Sequence, residues 1–189
     1  MKTYKNLFAQ LVSFENLYTA AQKAARGKRE KLGVMLFFMK LEENLFHLQA
    51  ELSTQRYCPG AYRSFSIYDP KPRMISAAPF RDRVVHHAMM NVIEPILQRS
   101  LIFDTYANRV DKGTHRAIRR FQYYMQQYRF VLKCDIKKYF PSIDHEILKN
   151  LLRKRIGDPC VLWLIDKALI RTLKKHRFSI RKGTKYVRS

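Results

Sequence analysis

The chain has 189 residues, with 37 Lys and Arg against 15 Asp and Glu, a formal net charge of +22. That length allows one compact core, and 47% hydrophobic residues, with 12 Phe and 11 Tyr, exclude a disordered tail or solvated linker. So large a positive excess repels itself in a compact state, and the usual reason for carrying it is a polyanionic partner: nucleic acid first, an acidic membrane surface second.

Three cysteines (Cys58, Cys134, Cys160), an odd number with no CxxC, argue against a disulfide framework and against a zinc site. They fit a reducing, cytoplasmic setting. The longest apolar run, Leu32 to Met39, has eight residues and is too short to span a bilayer. No signal peptide is read at the N-terminus, and no membrane partner is expected.

Residues 1–31 begin helically and end strongly basic, Arg26-Gly-Lys-Arg-Glu-Lys31. Residues 34–52 are predicted as one helix, because Leu41, Leu45, Leu48 and Leu52 recur at spacings of four, three and four. Pro59-Gly60 marks a turn. Residues 62–68 alternate in polarity and 74–77 are apolar, around a Pro-broken basic tip holding Lys71 and Arg73, which predicts a β-hairpin. Residues 81–99 form the clearest helix, with Val84, Val85, Ala88, Met89, Val92, Ile93, Ile96 and Leu97 in pairs four apart. His86 and His87 on it suit packing or template contact better than metal binding.

A loop follows over 101–113, then a helix over 115–127 with Thr114 as its N-cap. Phe130 to Ile136 reads as a short apolar strand containing one acid, Asp135. Pro141-Ser142 opens a further helix with Asp144 and Glu146 in its first turn, favoured there by the helix dipole, ending near Gly157-Asp-Pro159. A last helix covers 160–175, with Trp163 in the core. The final twenty residues hold eight Lys and Arg and no acid.

A carboxylate inside an apolar strand is costly to bury unless it is paired or bound to a metal. In so basic a chain Asp135 suggests magnesium held against phosphates. The alternative is a structural Asp that caps the next turn or pairs with a Lys.

Phe130-Val-Leu-Lys-Cys-Asp-Ile-Lys-Lys-Tyr-Phe-Pro-Ser-Ile-Asp-His145 resembles the first palm motif of bacterial reverse transcriptases of the group II intron, retron and diversity-generating retroelement type. Four further stretches resemble the same family in the same order. They are Tyr57–Phe65, Asp69–Ala77, Pro79–His87, and Tyr106–Arg109 with Lys112–His115. The resemblance covers about residues 20–152. It implies an α+β fold: mostly helical fingers with a β-hairpin, and the first part of a right-hand polymerase palm. The implied division is 1–56 as an N-terminal basic helical extension, 57–127 as fingers, 128–176 as a partial palm and 177–189 as a basic tail.

The family's activity is RNA-directed DNA polymerisation on an RNA template and a DNA or RNA primer, from deoxynucleoside triphosphates, with Mg²⁺. By the resemblance Asp135 would be a catalytic carboxylate and metal ligand, and the carbonyl of Ile136 a second ligand. Phe140 would be the steric gate under the nucleotide sugar. Lys71 and Arg73 would reach the triphosphate, or else form a solvated tip. Arg81 and Arg83 would touch nucleic acid or brace the fingers through Asp82, and Asn108 and Arg109 would lie near template, primer or nucleotide.

Two-metal chemistry needs at least two convergent carboxylates, yet the sequence has no Asp-Asp pair and no Gly-rich Ser-Gln motif. The expectation is therefore the N-terminal portion of such an enzyme, inactive alone and completed by a second chain or a missing C-terminal half. The alternative is a non-catalytic RNA-binding module derived from one.

Overall fold

The computed structural model describes residues 2–68, 71–136 and 139–176. The hairpin residues Asp69 and Pro70 and the expected basic tail, 177–189, lie outside the described residues. The elements in chain order are α1 (Phe8–Leu11), α2 (Phe14–Ala25), α3 (Leu32–Met39), α4 (Leu41–Ser53), β1 (Arg63–Tyr68), β2 (Pro72–Ala77), α5 (Phe80–Gln98), α6 (Thr114–Gln127), α7 (Tyr139–Ser142), α8 (His145–Arg153) and α9 (Pro159–His176). This is an α+β chain, helical apart from one antiparallel hairpin and an isolated bridge between Tyr4 and Ile156. None of the described helices is long and apolar enough to cross a membrane.

The chain divides into two compact units: residues up to Pro95 together with those from Asp144 onward, and Ile96–Ile143. In the first unit the Ser13 side chain caps α2 by accepting the Asn16 N–H. The inner face of α2 is small (Ala20, Ala21, Ala24, Ala25) and fully or almost fully buried. Small residues let backbones approach, and Asn16 Nδ2 reaches the Ala88 carbonyl of α5 at 3.1 Å. Leu45, Leu48 and Leu52 of α4 and Val84, Val85 and Ala88 of α5 complete the core, each at 0–1% exposure. Each such Leu contributes about 1.5–3 kcal/mol of hydrophobic stabilisation.

One carboxylate draws this unit together across most of the sequence. Asp158, 6% exposed, accepts the N–H groups of Leu7 at 2.7 Å and Phe8 at 3.0 Å through Oδ2. Through Oδ1 it accepts those of Cys160 and Val161, capping α9. The strap before α1 is held further by Tyr4 N–H to the Arg155 carbonyl and Gly157 N–H to the Tyr4 carbonyl, both 2.8 Å. Gly157 permits this, since a Cβ there would stand 2.6 Å from Thr3 Cγ2. Lys149 of α8 bridges Glu146 and Asp166, fastening α8 to α9.

Several expectations need correction. The helix expected over 34–52 is two helices broken at Lys40 (φ −126°, ψ 44°), because Asn44 Nδ2 takes the Phe37 carbonyl that would otherwise continue the ladder. The N-cap of α6 is Gly113 at φ 90°, not Thr114, which is already helical. The helix expected from Pro141 stops after one turn at Ser142. Asp144 then lies outside α8 as its cap, accepting from Glu146 and Ile147, and α8 ends at Arg153.

The strand expected over 130–136 does not form. The segment carries no regular structure, with Phe130 88% and Leu132 87% exposed. A strand needs a neighbour to satisfy its backbone, and the hairpin strands pair only with each other among the described residues.

Asp158→Ala is expected to lower the unfolding free energy in urea by about 2–3 kcal/mol. It should also speed amide exchange at Leu7 and Phe8; unchanged protection there would refute the clamp.

Candidate nucleic-acid interface

The hairpin leaves the helical body at a polar joint. Asp82, in the first turn of α5, is 1% exposed. It accepts the Tyr57 hydroxyl at 2.7 Å on Oδ1 and the Gly60 N–H at 2.8 Å on Oδ2. A Cβ at Gly60 would lie 2.9 Å from Pro79 Cγ, so only glycine lets this backbone come so close to α5. Burial, then the bond to Asp82, pushes the Tyr57 hydroxyl far above its ordinary pKa.

Arg81 closes the joint from outside. It pairs with Glu51, donates to the Cys58 carbonyl, and lies over the Tyr57 ring at 5.1 Å. These contacts tie Arg81 to α4 and to the segment before the hairpin.

Beyond the joint, strand pairing sorts the side chains. Arg63 pairs with Ala77, Phe65 with Ile75 and Ile67 with Arg73. Paired residues share a face and neighbours alternate. Arg63, Phe65, Ile67, Arg73, Ile75 and Ala77 therefore lie on one face. At its base is a cleft of about 510 Å³, lined by Arg63, Phe65 and Ala77 from the hairpin, Lys31 and Gly33 near the start of α3, and Arg83 of α5. Among the described residues no carboxylate lines it. Arg83 stacks on Phe80 at 5.2 Å, and its Nε is buried without a hydrogen-bond partner. From Arg63 to the Ile67–Arg73 pair the face runs roughly 13 Å. A cationic groove with an exposed ring (Phe65, 43% exposed) is the composition that tracks a phosphate backbone and stacks bases.

His86 and His87 follow one turn further along α5. Burial lowers the pKa of both; Asp82 partly offsets this for His86, while Lys23, Arg83 and Lys28 lower His87 further. The latter three cations thus cluster electrostatically around His87.

The other residues singled out from sequence are placed within their own units. Lys71 is exposed beside the hairpin tip. In the second unit Asn108 is exposed at φ 54°. Arg109 is turned into its own loop, where Nη1 donates to the Ile102 carbonyl at 3.2 Å and the Thr105 carbonyl at 3.3 Å.

That loop is braced by Asp104, which accepts from Tyr106, Arg120 and Tyr124. The Tyr106 and Arg120 bonds hold its carboxyl below the ordinary range. Phe140 is 79% exposed in α7, edge-on to Tyr139 at 5.3 Å. Asp135 and Ile136 are exposed in the irregular segment.

Among the described residues no three His, Cys, Asp or Glu side chains converge. Asp135 offers one solvated carboxylate, short of the two convergent carboxylates that two-metal chemistry needs.

Lys31, Arg63 and Phe65 were missed in sequence. The i, i+2, i+4 run Arg63, Phe65, Ile67 opposite Arg73 was the available signal.

No family model matches the chain. It is similar to Protein YkfC of Escherichia coli (strain K12), 29% identical over 139 residues that cover 69% of this chain and 36% of that protein. It is similar to nuclear intron maturase 1, mitochondrial, of Arabidopsis thaliana, 28% identical over 90 residues covering 48% and 13%. It is also similar to nuclear intron maturase 2, mitochondrial, of the same plant, 24% identical over 189 residues covering 89% and 25%. The chain spans little more than a third of the length of these relatives, or less. At this coarse level the likenesses to proteins named as intron maturases agree with the motif resemblance.

Two measurements check this geometry. Tyr57→Phe leaves Oδ1 of Asp82 short of a donor and should cost about 1–3 kcal/mol. The unfolded chain protonates its histidines near pH 6.5, whereas His86 and His87 resist protonation in the fold. Stability is therefore intact above that pH and falls below it. The urea midpoint should drop between about pH 7.5 and pH 5.5, and replacing both histidines by Gln should remove most of that drop.

Proposed function

We propose that the chain binds RNA, as the fingers-bearing part of a protein related to reverse transcriptases and intron maturases. The observation that carries this is the shared face of Arg63, Phe65 and Arg73 above the Lys31–Arg83 cleft. Cations there neutralise phosphates, and Phe65 stacks on an unpaired base. The relatives named as intron maturases, and the five ordered motifs, support RNA as the polyanion.

A polymerase reading is favoured by the match of Phe130–His145 to a palm motif. In it Asp135 and the Ile136 carbonyl would contribute to Mg²⁺ binding, Lys71 and Arg73 would meet the triphosphate, and Phe140 would select deoxynucleotides. The remaining carboxylates would come from further polypeptide, with primer and template seated across both. The 189-residue chain alone is expected to show no primer extension.

The test is RNA affinity against salt. Arg63→Ala and Arg83→Ala should each weaken binding across sequences and lower the salt slope by about one. Phe65→Ala should cost about 1–3 kcal/mol on single-stranded RNA. Asp135→Ala or removal of Mg²⁺ should leave affinity unchanged. A flat salt response would defeat the proposal. Primer extension by the chain, lost in Asp135→Ala, would instead establish the polymerase reading.

A further inference from the structure

The apolar run Leu32–Met39 plays no part in the RNA face beyond Gly33 and Val34 at its base. α3 buries only Val34 and Phe37, with Phe37 edge-on to Phe80 at 5.0 Å. Its outer side shows Leu32 at 70%, Met35 at 51%, Leu36 at 55% and Met39 at 79% exposure. Their spacing, i, i+3, i+4, i+7, makes one continuous stripe. Beside it is a hollow of about 400 Å³ lined by Arg29, Val34, Met35, Phe38 and Met39. The loop leading into the stripe is Arg26-Gly-Lys-Arg-Glu-Lys31, four cations to one acid.

We infer that the α3 stripe is a docking site for a protein segment presenting an apolar anchor side chain flanked by Asp and Glu. Four hydrocarbon and thioether side chains offer nothing to a phosphate backbone. A second copy of the chain would bring +22 against +22. The hollow has room for an inserted Leu or Phe and a neighbouring side chain of the same segment. Met35 and Met39 adapt their shape to such an anchor, and the basic loop attracts its acidic flanks. This inference shares Lys31 and Val34 with the RNA face but rests on the exposed stripe Leu32, Met35, Leu36 and Met39, which takes no part in it.

The experiment uses the full chain and a labelled helical peptide of about 16 residues, with Leu or Phe at i, i+3, i+4, i+7 and Glu elsewhere. A scrambled peptide of equal composition and vesicles of anionic phospholipid are the other arms. The patterned peptide should bind at least about tenfold tighter than the scramble. Leu36→Glu should abolish that margin while RNA affinity stays as in the parent chain. Met39→Ala, at an exposed position, should weaken it about threefold or more if Leu36→Glu does not fold. Equal binding of the two peptides, a margin insensitive to Met39→Ala, or binding to vesicles without peptide discrimination would overturn the inference.

Discussion

A carboxylate taken out of water is costly unless donors surround it. Asp82 meets that condition by gathering the Tyr57 hydroxyl, the Gly60 amide and the edge of Arg81. The geometry of the RNA face depends on this. Gly60 stands three residues before β1, so its position decides where the hairpin departs from α5. Arg83, one residue past Asp82, is thereby aimed beneath Arg63. A neutral side chain at position 82 would leave a buried phenol and a backbone amide seeking partners, and the cationic residues would lose their common frame.

The large positive excess is divided between two uses. Part of it works inside the protein: Arg81 on Glu51, Arg120 on Asp104, Lys149 between Glu146 and Asp166, and Arg109 on loop carbonyls. Among the described residues Lys31, Arg63 and Arg83 line one cleft that no described carboxylate enters. Net charge alone therefore points to a polyanion without saying which arginines meet it. The internal carboxylates decide that by claiming their own partners first.

Elements with a strong period or a strong punctuation were legible in the sequence. The paired Val and Ile of α5, the Pro-broken hairpin and the helix after Pro159 fall within a residue or two of their expected bounds. Legibility failed where a side chain from elsewhere overrode local pattern. Asn44 ends α3 by taking a carbonyl that no periodicity reveals. Asp158 was read as a turn position, yet half of its donors come from residues about 150 positions away. The 130–136 segment failed differently: its composition is that of a strand, but a strand is a property of two segments, and the second is not found among the described residues. For the site, a family likeness directed attention to Arg81 and Arg109, while simple strand alternation held the better guide to Arg63 and Phe65.

That irregular segment has a consequence for the molecule in solution. Phe130, Val131, Leu132 and Ile136 stand in water on a backbone with no ladder on either side among the described residues. Apolar side chains exposed in a row are adhesive, and a segment of this composition is prone to pair with other chains. Electrostatic repulsion between copies carrying +22 opposes such association, and concentrated salt would weaken it.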